Sequence, residues 1–175
     1  MAEVKRTYHE NGELESEVFE INGRKNGEYK SYYENGQLNV ICTYTNGKRN
    51  GKSKSYHKSG QLHQICIYTN GKRNGMYKLY YTNGQLCKIY TYVDDKINGE
   101  FKSYHPNGQL DVISTYTNGY INGEYKTHYL NGQLGEICTY IDGYRNGEQK
   151  QYHENGELTE QSIWNNGVKI EVNLI

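Results

Sequence analysis

A leucine returns every 24 residues along this chain, at Leu14, Leu38, Leu62, Leu86, Leu110, Leu134 and Leu158, each two residues after a glycine. A fixed period of this size means that one supersecondary unit is stacked on copies of itself. Six residues before each Leu stand Tyr8, Tyr32, Tyr56, Tyr80, Tyr104, His128 and Tyr152; six after it stand Glu20, Tyr44, Tyr68, Tyr92, Tyr116, Tyr140 and Trp164. The copies run near 5–28, 29–52, 53–76, 77–100, 101–124, 125–148 and 149–167, making one array over 1–175. Residues 168–175 alternate Val168, Ile170, Val172 and Leu174 with polar residues and are predicted to form a capping strand.

Seventeen of the 20 glycines follow an Asn, the strongest short-range turn signal, because both residues accept positive φ at low cost. Two turns per copy imply two short strands per copy. Helices are excluded, since Gly would interrupt one about every dozen residues and no apolar 3.6 period survives. With 34% hydrophobic residues and a mean hydropathy of -1.00, a thick core is also excluded. The expected fold is all-β: an elongated, twisted single-sheet meander of about seven 24-residue β-hairpin repeats.

The one proline sets the register. In His105-Pro106-Asn107-Gly108, proline at the second position and glycine at the fourth fit a type I turn closed by a left-handed Gly, a three-residue hairpin with a G1 bulge. Carried to the second copy, this places Tyr32 opposite Leu38. Tyr32, Leu38, Val40, Cys42 and Tyr44 are then expected on one face, with Tyr29, Tyr33, Ile41 and Thr43 on the other. The same structural ladder continues through Tyr56, Leu62, Tyr68, Tyr80, Leu86, Tyr92, Tyr104, Leu110, Tyr116, Leu134 and Tyr140.

The unit YYENGQLNVICTYTNGKRNGK, with its Tyr-Tyr-x-Asn-Gly-x-Leu and Asn-Gly-x-x-x-Gly, resembles the MORN-repeat family, in the variant of the YwqK-like antitoxins. The resemblance covers residues 5 to 167. It implies a hairpin meander acting as a scaffold, a dimerisation module or a phospholipid binder, and for the YwqK-like branch the neutralising of a partner toxin; similar arrays occur in bacteria and large DNA viruses. Asp94-Asp95 and Ser59-Gly60 depart from the Asn-Gly pattern, and the seventh copy stops after Gly167.

A 48-residue period lies inside the first. The residue after the recurrent Tyr alternates as His9, Tyr33, His57, Tyr81, His105, Tyr129 and His153, and Tyr29, Tyr77 and Tyr125 occur only in even copies. Duplication of a two-repeat ancestor explains this. So does a partner face built from Tyr29, Tyr33, Tyr77, Tyr81, Tyr125, Tyr129, His57 and His105, since Tyr offers a large ring at low entropy cost and a hydroxyl for hydrogen bonding.

Reactive side chains do not converge. Cys42 and Cys66 sit one copy apart, about 10 Å by strand spacing, too far for a disulfide. Without C-x-x-C, the four cysteines read as small reduced residues on the buried side, which favours a reducing compartment. The histidines are spread by the same ladder, which argues against a metal. HENGE at His9 and His153 has no second His and is a turn. Lys30, Lys54, Lys78, Lys102, Lys126 and Lys150 form a basic ladder that would suit an anionic surface, yet Glu28, Glu100, Glu124 and Glu148 lie two residues before four of them, so cross-strand pairing or a solvated face explains it as well. Zero net charge argues against nucleic acid as a partner. The N-terminus carries no apolar h-region. The expectation is a cytoplasmic, non-enzymatic protein–protein interaction scaffold without cofactors that self-associates as a homodimer. The alternatives are an antitoxin-type protein covering a toxin, and a peripheral module on anionic lipid.

Overall fold

The computed structural model describes residues 1–170, so 171–175 of the expected capping strand lie outside the described residues. The chain groups into two compact units, Met1–Gln85 and Leu86–Ile175. The first holds β1 (Ala2–Tyr8), β2 (Leu14–Ile21), β3 (Arg24–Tyr32), β4 (Leu38–Thr45), β5 (Lys48–Arg49), β6 (Gly51–Tyr56), β7 (Leu62–Thr69) and β8 (Lys72–Tyr80). The second holds β9 (Leu86–Val93), β10 (Lys96–Ile97), β11 (Gly99–Tyr104), β12 (Leu110–Thr117), β13 (Tyr120–His128), β14 (Leu134–Ile141), β15 (Tyr144–Arg145), β16 (Gly147–Tyr152), β17 (Leu158–Asn165) and β18 (Val168–Ile170). In each unit successive strands pair antiparallel in a single layer, as the turn spacing predicts.

Two turn types alternate. The short turn, as at Asn46-Gly47, has both residues at positive φ (50° and 80°) and links β4 to β5 as a two-residue I′ hairpin. The long turn is the bulged one that Pro106 requires: Gly108 N–H donates to His105 O at 2.8 Å, His105 N–H donates to Gln109 O at 2.8 Å, and Gly108 has φ +86°. Asn107 is not left-handed there; its Oδ1 accepts from Gln109 N–H at 3.0 Å and its Nδ2 donates to Leu130 O at 2.9 Å, tying the turn to the next copy.

Tyr32 pairs with Leu38 as the turn dictates, but the neighbouring pair is Ser31 with Val40, leaving Asn39 as an extra residue in β4. This second bulge corrects the expected face. Beyond it Val40, Cys42 and Tyr44 point away from Leu38 and share their side with Tyr29 and Ser31, while Ile41 and Thr43 join Tyr32 and Leu38. The ladder is therefore split: Tyr32, Tyr56, Tyr104 and their Leu partners line one face, and Tyr44, Tyr68, Tyr116 and Tyr140 line the other.

That other side, the cysteine face, carries the core. Cys42, Ser53 and Cys66 in the first unit and Ser103, Ser114, Cys138, Gln149 and Ser162 in the second are buried in the middle of the strands. Small residues there leave room for aromatic rings above the sheet: Tyr29 meets Tyr44 edge-on with centroids 5.9 Å apart, and Tyr125 meets Tyr140 edge-on at 5.7 Å. A layer of rings thus does the work of a second layer of secondary structure. Gln149 is buried but satisfied, its Oε1 accepting from Trp164 Nε1–H at 2.6 Å and its Nε2 donating to Glu136 at 2.6 Å.

The 48-residue period has a backbone counterpart. In even copies β3, β8 and β13 are unbroken nine-residue strands, whereas in odd copies the same stretch breaks into two and six residues around Asn50, Asn98 and Asn146. At each break the Asn N–H donates to a Thr carbonyl at 2.8 to 2.9 Å, as Asn50 does to Thr43.

Candidate functional site

The residues read as a partner face lie on the cysteine face or its turn edge, half-buried, and most are engaged in stacking one copy on the next. Tyr33 OH donates to Tyr56 O at 2.8 Å, and Tyr129 OH donates to Tyr152 O at 2.7 Å. Nε2 of His57 lies 3.4 Å from Tyr80 O, and that of His105 lies 2.8 Å from His128 O. His and Tyr thus alternate because either ring reaches the same carbonyl one copy on. Tyr29 and Tyr125 form the ring contacts above, Tyr77 OH donates to Gln64 Oε1 at 3.3 Å, and Tyr81 is half-buried at its turn.

The opposite, lysine face is ordered by register. Across the first unit one row runs Lys30, Ile41, Lys54, Ile65, Lys78, each directly opposite the next; across the second, Ile89, Lys102, Ile113, Lys126, Ile137, Lys150 repeat it. Lys54, Lys102 and Lys126 thus lie between two isoleucines, while Lys30 lies between Glu17 and Ile41 and Lys150 between Ile137 and Gln161; the stems cover the sheet and the ammonium groups reach water. The acidic partners are on the same strand rather than across it, which corrects the cross-strand expectation. Lys30 pairs with Glu28 at 2.5 Å, Lys102 with Glu100 at 2.6 Å, Lys126 with Glu124 at 2.5 Å and Lys150 with Glu148 at 2.8 Å. The hydrogen bonds that the ammonium groups donate to these carboxylates raise the pKa of Lys30, Lys102 and Lys150. At the Glu position of the other two copies stand Lys52 and Met76, so Lys54 and Lys78 lack this neighbour.

Sequence reasoning missed a third group, the arginines beside the short turns. Arg49 lies opposite Tyr44 on the cysteine face, donates from Nε to Tyr44 OH at 3.2 Å and from NH1 to Tyr68 OH at 3.5 Å, and sits 5.4 Å from the Tyr68 ring centroid. Arg145 repeats this in the second unit, with Nε to Tyr140 OH at 3.1 Å and its guanidinium 5.2 Å from the Trp164 ring, but it also donates to Glu136 at 2.9 Å. Burial opposes the charge on both; the hydrogen bonds and Coulombic attraction of Tyr44 and Tyr68 at Arg49, and of Tyr140 and Glu136 at Arg145, together outweigh it and hold both guanidinium pKa values above the ordinary one. Lys25, 4.5 Å from the Tyr29 centroid, completes the first cluster. The signal was the Arg at one position of the copy, visible in KRNG and YRNG.

All four cysteines are free and buried. Burial pushes the thiols of Cys42 and Cys66 up, and burial together with Glu136 pushes Cys138 up to about 11. A pKa raised by folding favours the neutral thiol, so this contribution is complete below the unfolded value of 9.0 and is lost as pH rises through about 11. The urea midpoint is expected to fall between pH 9 and 11, and to fall less in Cys138→Ser, which carries the residue that Ser114 and Ser162 place at the same position. An equal fall in both proteins would show that Cys138 contributes nothing.

A groove of about 550 Å³ lies on the cysteine face of the first unit among Thr7, His9, Ser16, Ser31, Tyr33 and Lys58. Its hydroxyls are partly consumed internally, Thr7 and Ser16 lying 2.7 Å apart. No group of three or more His, Cys, Asp or Glu among the described residues is placed to hold a metal ion.

Within each unit hairpins held to the next by side chain to carbonyl bonds define a protein that presents repeat surface. The MORN repeat variant family matches at residues 4–19, 25–46, 49–70, 73–94, 97–118, 121–142 and 145–166, and the chain belongs to it. Each match from the second onward spans one long bulged turn with its two strands and ends at the short turn. No curated protein matches the chain. The MORN repeat is a non-enzymatic repeat type whose arrays point to a binding scaffold.

Proposed function

We propose that the chain is a protein–protein interaction scaffold. The supporting observation is the lysine face: rows of Leu, Ile and Tyr in a single-layer sheet with Lys between them, where Phe19 and Met76 remain 39% and 43% exposed. A surface of this mixed kind is what a protein partner covers. In the second unit Tyr120 and Tyr144, 63% and 58% exposed, extend the aromatic surface along the short-turn edge. Neutralising a toxin, which the YwqK-like resemblance implies, is the same act directed at one enzyme; a homodimer directs it at a second copy.

Photo-crosslinkers placed at Ile67 and Met76 on the lysine face, and at Tyr33 on the cysteine face, test the reading in cells, alongside light scattering of the purified chain. One protein, or a second copy, is expected to cross-link reproducibly from the lysine face. Absence of any protein adduct together with flotation on phosphatidylserine vesicles would replace the scaffold by the lipid-binding alternative.

A further inference from the structure

Arg49 and Arg145 occupy the same position of the copy and hold the same Tyr hydroxyl, but only Arg145 has a carboxylate. Glu136, which supplies it, has Val40 as its counterpart four copies earlier, 96 residues before it in the chain. Gln149, the second donor to Glu136, has Ser53 as its counterpart. Arg73 stands at this position too, opposite Tyr68; the Arg145 bracket takes a carboxylate, while the Arg49 guanidinium is held by tyrosines.

The side chains that hold the Arg49 guanidinium are tyrosines. Within the first unit, residues 35–85 contain eight Lys and Arg and no Asp or Glu, so the zero net charge of the whole chain conceals a local basic field. The Arg49 guanidinium uses Nε and NH1 on Tyr44 and Tyr68. Arg49 is half-buried, and a guanidinium carries five N–H donors, more than these two contacts use. Arg and Tyr at such a place, pre-oriented by each other, are the residue types that carry interface energy.

We propose that Arg49 is a docking point for a carboxylate of a partner protein, an Asp or Glu side chain entering where Glu136 sits against Arg145. This goes beyond the lysine-face reading and gives the cysteine face a contact of its own: an acidic segment with apolar residues beside the acid, which would lie on the Tyr29, Tyr44 and Tyr68 rings. Carboxylate is favoured over nucleic acid because the bracket already takes a carboxylate in the second unit, and because the rings around Arg49 are packed edge-on against one another instead of presenting open faces for bases to stack on.

The test uses the full chain and follows the arginine Nε–Hε resonances while adding a short peptide alternating Glu and Leu, its Gln and Leu counterpart, inorganic phosphate or oligothymidylate. The Glu peptide is expected to shift the Arg49 resonance saturably and to leave that of Arg145, whose bracket is full, unmoved. Val40→Glu transplants the internal carboxylate; it is expected to keep the melting temperature and to weaken Glu peptide binding by about tenfold or more, the size of a lost charge-assisted hydrogen bond. Arg49→Gln is expected to do the same, and decides the matter if Val40→Glu does not fold. Equal binding of the Glu and Gln peptides, undiminished binding to Arg49→Gln, or a shift of Arg49 by phosphate or oligothymidylate but not by peptide would overturn the proposal. Cross-linking from the lysine face reports on the scaffold separately, so a scaffold that binds without Arg49 is distinguishable from no scaffold.

Discussion

Deleting Asn39 is expected to destabilise the first unit by more than about 4 kcal/mol, or to prevent it folding, whereas Asn39→Ala costs about 1 kcal/mol or less. The deletion removes the extra residue that separates the Tyr32–Leu38 pair from the Ser31–Val40 pair. If Leu38 keeps its place, Cys42 and Tyr44 turn to the lysine face while Ile41 and Thr43 turn inward beneath Tyr29; if β4 keeps its place, the long turn loses its register. The side chain itself matters little, since equivalent positions carry Glu15, His63, Asp111, Gly135 and Thr159. Urea titration followed by tyrosine fluorescence measures both proteins. A deletion variant within about 1 kcal/mol of the parent would mean that the bulge does not set the faces.

The same series of residues explains what could be read from the sequence. The period, the two strands per copy and the Tyr32–Leu38 pairing are legible because Gly108, Asn107 and Pro106 have backbone preferences that admit few turns. The second bulge is not, because Glu15, Asn39, His63 and Thr159 share no conformational preference; what fixes the bulge is the requirement that Cys42 and Cys66, rather than Ile41 and Ile65, lie under the aromatic rings. Counting alternation from the turn without that extra residue puts every side chain beyond it on the wrong face.

Charge was legible in part. The Glu28–Lys30 spacing announces an ion pair, but only the strand geometry shows it running along one strand. The acid-free run through 35–85 was open to counting, and averaging over 175 residues erased it. Arg49 became informative only by comparison with Arg145: its Tyr44 and Tyr68 contacts need coordinates, and the missing carboxylate is recognised because Glu136 shows where one belongs.

Gly75→Ala is expected to lower stability by about 3 kcal/mol, and Gly51→Ala, one copy earlier at the same position, by about 1 to 2 kcal/mol. Both glycines have positive φ, +121° and +93°, and share the backbone cost. They differ in what a Cβ would meet: open space at Gly51, but Ile67 at Gly75, with Cβ at 3.1 Å and Cδ1 and Cγ2 at 3.3 Å. The difference follows the 48-residue period, since a Cβ at Gly27 or Gly123 would also meet a facing side chain within 4 Å while one at Gly99 or Gly147 would not. In unbroken β8 the glycine stays pressed against β7; in broken β5 and β6 the chain swings clear at Asn50. A double-mutant cycle isolates the contact: in an Ile67→Ala background Gly75→Ala should cost about 1.5 kcal/mol less, while the cost of Gly51→Ala should not change. Equal costs for the two glycines, or no coupling to Ile67, would show that the alternation of broken and unbroken strands has no energetic counterpart, and would leave duplication as the whole explanation of the doubled period.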